Sequence, residues 1–479
     1  MPKKPNLVYV FADQLRYFSC GYAGDKNAIT PNIDALSRES LDVCECISNH
    51  PVCAPYRASL FTGKYTTSTG MVINEIRMNP DHRTFAHCLN DAGYTTEYIG
   101  KWHMYANMKG DHENPKNSFV PKGKDRLGFD GFFAHYGFHH EYQNEHAYYH
   151  LDTPEKIYHE GYEPDAQTTM AIERLKLLKE AGDPFALFLS IGTPHDPWSP
   201  YNVPAKYYDK FKDVQFSLPP NYKPDNDPHA DGWARFFFDE RDHITDWMKV
   251  YYAMVNNLDD NVGRLRAALK ELDLEDDTIF VFTVDHGEMF GAQGRRAKNI
   301  FYEEAARVPF LIRAKDLPVT KNHTPFGTVD IMPTLLSLMG IPYPEEVEGR
   351  DVSASFKGDE NAPTPEGELL MCTGTTADFG DGVEWRAYRT RQYTYAVFKS
   401  DGQELLFDNL HDPYQTNNLI DDPALSAARD ALKTAMYAEM ARIGDTFENN
   451  SYYEKNWIED RIIKRTATVH TAWKPSERK

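Results

Sequence analysis

No stretch of the 479-residue chain comes near the ~20 consecutive apolar residues that a membrane-spanning helix requires, and nothing after Met1-Pro2-Lys3-Lys4-Pro5-Asn6 reads as a secretory h-region or cleavage site. The expectation is a soluble protein with no membrane partner and, as written, a cytoplasmic one. Cysteine is scarce too. The six residues are too few for a disulfide scaffold, Cys44 and Cys46 sit too close for an easy bridge, and no spacing matches a common zinc module, so most are read as free thiols. Positive charge is outnumbered: 52 Lys and Arg against 72 Asp and Glu give a formal net charge of -20. Nucleic acids and anionic membranes need clustered cations, so neither is an expected partner. An anionic substrate would need a local cationic pocket. There is no internal repeat and no low-complexity tract.

What remains is a large globular chain. Its length exceeds that at which a single core keeps growing, which predicts one large domain and a smaller one. Continuous apolar runs at 7–11, 94–99, 185–190 and 278–284 have the character of strands buried on both faces, and 308–313 reads as a further strand. Helical patterns fall at 33–40, 84–92, 166–181, 244–272, 330–338 and 423–443. Residues 104–165 read as a long insertion over the sheet edge, and 199–240 as irregular substrate-side loops. A charged, proline-rich stretch at 357–367 is the candidate linker, followed by antiparallel segments at 384–398 and 404–408; the charged tail after Glu454 is expected to wrap the surface. The predicted fold class is α/β: a large, mostly parallel mixed sheet sandwiched by helices (1–365), with a smaller α+β subdomain on an antiparallel sheet (366–479).

Four of the strand-like runs deliver polar residues at their C-terminal ends: Asp13-Gln14, Lys101 and His103, His195, and Asp285-His286. In an open α/β sheet that edge is where ligands bind, so clusters far apart in sequence converge there. Two carboxylates, an amide oxygen and an imidazole suit a hard divalent cation, and the imidazole also admits Mn²⁺ or Zn²⁺. A predicted helix start at Cys53 offers a positive dipole end to an anion, with Arg57, Lys101 and Lys298 as cationic donors and Arg295 and Arg296 as rivals to Lys298. The Cys-His-Asn arrangement of ordinary thiol catalysis is missing.

Cys-x-Pro-x-Arg alone arises by chance in roughly a few per cent of chains this long. The fuller stretch Cys53-Ala54-Pro55-Tyr56-Arg57-Ala58-Ser59-Leu60-Phe61-Thr62-Gly63 resembles the signature of the type I, formylglycine-dependent sulfatases of the alkaline phosphatase superfamily. Similarity to that family extends through Gly100-Lys101-Trp102-His103, Pro194-His195, the segment from Gly294 to Glu304, and a closing segment from Glu404 to Leu419. The resemblance implies an alkaline phosphatase-like fold and sulfate-ester hydrolysis to alcohol and inorganic sulfate. It implies that a formylglycine-generating or anaerobic sulfatase-maturing enzyme converts Cys53, and that Ca²⁺ is bound by Asp13, Gln14, Asp285, His286 and residue 53. Gln14 departs from the acidic pair the family often has there. In the implied mechanism Asp285 helps deprotonate the formylglycine hydrate that attacks sulfur, Lys101 and Lys298 bind sulfate beside Arg57, His195 protonates the leaving alcohol, and His103 takes the proton that lets sulfate depart.

The nearest alternative is the phosphonate monoester hydrolase and phosphodiesterase branch, which shares the Cys motif, an Asp-Gln first strand and an Asp-His pair. Asn74 would there contact the reacting group. That branch generally has Tyr and Thr where this chain has Lys101 and His103, so sulfatase is the preferred expectation. A third reading is an inactive, metal-dependent glycan-binding homologue. The expected substrate is a sulfated small molecule or glycan terminus, most simply a carbohydrate attacked from its end, with the aromatic and His-rich loop 133–150, Trp198 and Tyr201 as candidate contacts.

Overall fold

In the computed structural model of the chain, residues 4–143 and 146–468 are described. The main sheet takes its strands in chain order as β1 (Asn6–Ala12), β2 (Leu41–Val43), β3 (Thr95–Lys101), β4 (Phe133–Tyr136), β5 (Phe185–Ile191), β6 (Thr278–Val284), β7 (Phe310–Arg313) and β8 (Lys321–Asn322), in the spatial order β8-β2-β7-β6-β1-β5-β3-β4. Only β7 runs against its neighbours. Every residue of β1, β5 and β6 is buried, which is why these runs show no alternation of apolar and polar positions.

Helices sandwich this sheet in two contacting groups. One comprises α1 (Pro31–Ser37), α4 (Glu163–Ala181) and α5 (Ile244–Glu271), and the other α2 (Cys53–Thr62), α3 (Phe85–Asp91) and α6 (Thr328–Leu338). α1 starts earlier than the expected 33–40 because Pro31, with its fixed φ, takes the first turn. In α5 the buried Tyr251, Met254, Leu258, Leu265 and Leu269 lie on a helical spacing along its core face. Among the described residues no helix is long and apolar enough to cross a membrane, and all six cysteines are buried free thiols.

Two readings change. The segment at 104–165 does more than cover the sheet edge: Phe133, Ala134, His135 and Tyr136 form β4, the outermost parallel strand. Four residues with a histidine inside are too short and too polar a run to announce a strand. The stretch at 384–398 is a hairpin, β10 (Trp385–Thr390) and β11 (Tyr393–Phe398), flanked by β9 (Gly367–Cys372) and β12 (Glu404–Asp408) in a four-stranded antiparallel sheet. Arg391 and Gln392, both strongly polar, supply the turn that the apolar pattern hides. α7 (Ser426–Arg442) packs on this sheet. The tail returns to the main domain: after α8 (Asn450–Trp457), Tyr453, Trp457 and Ile463 are buried in the main core, and the Ala467 N–H donates to the Thr67 carbonyl. At about 1.5–3 kcal/mol for each buried apolar side chain, three such anchors suffice to hold it. The part of the tail from 469 onward lies outside the described residues.

Where α6 meets the antiparallel sheet, two carboxyls face each other in the interior. Asp330 accepts from the Arg350 and Gly327 backbone N–H groups at 2.6 and 2.8 Å, whereas neither oxygen of the buried Glu368 accepts a hydrogen bond. Burial first, then Asp330, pushes the Glu368 carboxyl well above its ordinary range. A carboxyl whose pKa rises on folding stabilises the fold below its unfolded pKa, and that contribution is lost as pH climbs through the folded value. Glu368→Gln is therefore expected to melt above the wild type at pH 8, with the difference shrinking towards pH 5 in thermal unfolding scans.

Candidate active site

Strand register builds the site. Ala12 pairs with Val284 on one side and Ile191 on the other, so Asp13 and Asp285, the next residues, leave neighbouring strands at one level. Gly100 pairs with Ser190 and puts Lys101 at the same edge. Gly100 has φ +110°, and a Cβ there would lie 1.9 Å from the Ser190 carbonyl oxygen, so only glycine lets β3 approach β5 this closely. α2 then points its first residue at this edge. It begins at Cys53, with Pro55 in the first turn, and ends at Gly63 in the left-handed conformation. Val52 in the cap position has no capping side chain; Asn74 substitutes for it, its Oδ1 accepting from the Ala54 N–H at 3.0 Å. With Pro55 lacking an N–H, the helix offers the site its positive end and not a row of free donors.

The strand ends do meet. Ligand atoms of Asp13, Cys53, Asp285 and His286 all lie within 4.8 Å of one another, and all four residues are buried. Cys53 Sγ is 3.2 Å from His286 Nε2, 3.4 Å from Lys298 Nζ and 3.9 Å from Lys101 Nζ. Burial raises the pKa of this thiol, but Lys101, Lys298 and His286 together outweigh it and hold the group well below its ordinary value. Lys101 Nζ also lies 2.6 Å from Asp13 Oδ2. Burial and the Asp13 charge raise the Asp285 carboxyl to about 6, and its Oδ2 is buried without a hydrogen-bond partner. Two carboxylates, one with an orphaned oxygen, an imidazole and an adjacent amide oxygen fit a hard divalent cation. That amide is Gln14, whose Oε1 accepts from Lys298 Nζ at 2.9 Å.

Above this cluster sit two histidines in opposite electrostatic settings. Burial and Lys298 oppose charge on His195, but Asp196 and Asp13 overcome them and raise it to about 9. Its Nδ1 is 3.0 Å from both the Asp196 carbonyl and Asp196 Oδ1. Lys298 Nζ lies 2.7 Å from His195 Nε2, close enough that a single proton lies between the two nitrogens. His103 is lowered to about 4, chiefly by burial, which outweighs the opposing effect of the Cys53 side chain beside it. It stacks on Phe138 with ring centroids 4.5 Å apart, and His140 stacks on His195 at 4.2 Å.

These groups floor a cleft of about 530 Å³. Its rim carries Glu75, His112, Trp233 and Arg296, and the C-terminal subdomain adds Thr376 and Ala377. Apart from Arg296, the rim residues were not legible one by one, because loops carry no periodicity. Of the rival cations, Arg295 is bound to Asp227 and Arg296 to Glu240, leaving Lys298 to reach Cys53. Trp198 is a core residue packed on Trp247, Tyr251 and Phe290, while Tyr201 is exposed outside the cleft lining. Two carboxylates that contact these residues went unassigned: Asp196, one residue beyond His195, and Glu288, which takes the Gln14 Nε2–H at 2.7 Å.

A family model described as Sulfatase matches residues 5–341, and one described as N-sulphoglucosamine sulphohydrolase, C-terminal, matches 291–442. The chain is 36% identical to an ulvan-active sulfatase of Formosa agariphila over 464 residues, covering 95% of this chain and 85% of that one. It is 30% identical to an endo-4-O-sulfatase of Bacteroides thetaiotaomicron, covering 96% and 95%. The solved structure of the yidJ sulfatase of Bacteroides fragilis superposes with a TM-score of 0.80 at 28% identity, covering 94% of this chain and 98% of that one.

Arg57 is committed to the sheet. It lies one turn into α2 and, like Lys101, is fully buried and not among the residues lining the cleft. Its Nη1 donates to the Lys101 carbonyl at 2.6 Å, Ser190 Oγ at 2.7 Å and the Tyr98 hydroxyl at 3.2 Å, and its Nη2 lies 3.4 Å from Asp13 Oδ2 and 3.7 Å from Asp285 Oδ2. The guanidinium fork thereby ties four strand ends together instead of facing an anion in the cleft. Arg57→Ala is expected to destabilise the metal-free protein by about 3–5 kcal/mol in urea unfolding, because it strands two buried carboxylates. Arg57→Lys should recover only part of that, since an ammonium cannot span the same partners.

Proposed function

The chain belongs to the sulfatase family and is a sulfuric ester hydrolase, and we propose that it cleaves the sulfate ester of a carbohydrate using a formylglycine formed from Cys53. The observation that carries this reading is the convergence on Cys53 Sγ of two lysines, an imidazole and a carboxylate, in a pocket that also holds His103 and His195. A bound Ca²⁺, or another hard divalent ion, would be held by Asp13, Gln14, Asp285 and His286 with residue 53, and would supply positive charge that acidifies a hydroxyl on that residue. Lys298 and Lys101 take the sulfate oxygens. His195, held by Asp196, delivers a proton to the leaving alcohol oxygen. His103, neutral and beside Cys53, accepts the proton whose removal expels sulfate and restores the aldehyde. The opposite pKa displacements of the two rings fit one for acid and the other for base duty. Cys53 is 1% exposed, so the maturing enzyme must reach it before the chain folds.

The names of the relatives support a carbohydrate, and so does the cleft mouth. Trp233 lines the cleft yet remains 52% exposed. Its turn is fixed: Asp231 Oδ1 accepts from the Trp233 and Ala234 N–H groups, and Oδ2 accepts from the Thr376 N–H and hydroxyl. A rigid, half-exposed indole suits the apolar face of a pyranose, and a cleft closed at its floor suits a terminal unit.

Mass spectrometry of the peptide containing Cys53 is expected to show an aldehyde in place of the thiol, and Cys53→Ala to abolish sulfate release from ulvan oligosaccharides and 4-nitrophenyl sulfate. Faster turnover of a phosphonate monoester than of any sulfate ester would overturn the reading. His195→Asn should lower kcat roughly 10²–10⁴-fold. In the wild type, kcat/KM is expected to fall as pH rises through about 9, where His195 loses its proton, and the variant should lack that limb. Trp233→Ala should lower kcat/KM about fivefold to tenfold on a sulfated oligosaccharide while Trp233→Phe retains it, consistent with one lost stacking contact.

A further inference from the structure

We infer that Glu288 is the positioning residue that makes Gln14 present its oxygen to the cation site, and that the two residues are a matched pair. The inference rests on the reading of Gln14 as a cation ligand. Gln14 has little freedom of its own. Its φ is +68°, its N–H donates to Asp285 Oδ1 at 3.1 Å, and its carbonyl accepts from the Tyr251 hydroxyl at 2.9 Å. What remains is the direction of the carboxamide. Glu288 is fully buried, and its Oε2 accepts from Gln14 Nε2 at 2.7 Å while Gln14 Oε1 accepts from Lys298 Nζ at 2.9 Å. A flipped amide would set its oxygen against the Glu288 carboxylate and its NH₂ against the Lys298 ammonium. Both attractive contacts would become repulsive in a buried region, so the carboxylate selects the oxygen-inward state.

The other oxygen of Glu288 acts on the cation side of the site. Oε1 accepts from the Phe290 N–H at 3.0 Å and the Ala297 N–H at 2.8 Å, closing the loop that delivers Lys298. That loop needs closing, because Phe290, Gln293, Ala297 and Asn299 all adopt left-handed backbone conformations although none is glycine. One buried carboxylate thus aims both the amide ligand and the lysine. The pairing also accounts for an amide at position 14: a carboxylate there would bind a cation more strongly but would press against Glu288.

The test is an exchange of the two groups. In Glu288→Gln the new amide keeps its oxygen on Phe290 and Ala297 and turns its NH₂ towards Gln14, which forces the Gln14 amide to flip. Calorimetry on metal-stripped protein should then show Ca²⁺ affinity lowered roughly 10–100-fold, the usual range for losing a group that orients a ligand. Gln14→Glu sets two buried carboxylates together and should lower the melting temperature of the Ca²⁺-free protein. The double exchange Q14E/E288Q restores donor to acceptor at every contact, so it should regain the melting temperature and bind Ca²⁺ at least as tightly as wild type. Wild-type Ca²⁺ affinity in E288Q, or a double variant no more stable than Q14E, would overturn the inference. If the wild type took up no Ca²⁺, the cation reading would fail, while the melting temperatures would still decide whether the two residues are paired.

Discussion

The buried contact between Lys101 Nζ and Asp13 Oδ2, 2.6 Å apart with both side chains inaccessible to water, is the constraint on which the rest of the structure depends. Removing an ammonium and a carboxylate from water costs several kcal/mol per ion unless further partners compensate. Here the compensation comes from sequence-distant segments: Arg57 from α2, Asp285 and His286 from just past the end of β6, and Lys298 from the loop beyond. None of these charges is tolerable alone in the interior. The parallel order β6-β1-β5-β3 is what brings them to one edge at one level, so fold and charge cluster require each other.

The cluster also resolves a contradiction in the bulk charge. A chain of net charge -20 repels a sulfate ester at long range, and screening confines that repulsion to roughly 8–10 Å at physiological salt. Inside the cleft the balance is local. Lys101, Lys298 and His286 surround a single sulfur atom and are strong enough to hold a buried thiol well below its normal pKa, against the burial that would raise it. The same field explains how two histidines in one pocket come to differ. His195 has a carboxylate within 3.0 Å, and His103 is buried against an aromatic face, so one is disposed to hold a proton and the other to lack it.

Much of this was legible because it followed from strand ends. An apolar run long enough to be buried on both faces must stop at a polar residue, and in a parallel sheet those stops share an edge; Asp13, Lys101, His195 and Asp285 were found that way. What the sequence conceals is direction. Arg57 was grouped with anion-binding cations because a helix position one turn from Cys53 says nothing of whether its side chain reaches up to the cleft or down to the sheet. Trp198 was taken for a substrate contact by proximity to His195, yet its ring turns into the core, with Nε1 donating to the Pro194 carbonyl at 2.8 Å. Glu288 was visible only as a neighbour of His286. Its role exists solely in the contact with Gln14, which is 274 residues away in the chain. Pairwise complementarity at that separation leaves no trace in periodicity or composition.

Reaction and selectivity are divided between different parts of the chain. The charged groups stand on strand ends and on the first turn of α2, where the main core fixes them. The rim belongs to loops: Trp233 from the irregular stretch, and Thr376 and Ala377 from between β9 and β10 of the C-terminal sheet. These loops are still not loosely attached. Asn299, next to Lys298, donates to the Gly374 carbonyl and accepts from Trp385 Nε1, and Asp231 ties the Trp233 turn to Thr376. The C-terminal sheet therefore does mechanical service to the site through two buried polar links, which explains why the chain tail folds back to anchor on the main core. Loops of this kind tolerate change that strand ends cannot, so substrate preference can shift at the rim while the residues around Cys53 remain under the joint demands of charge and register.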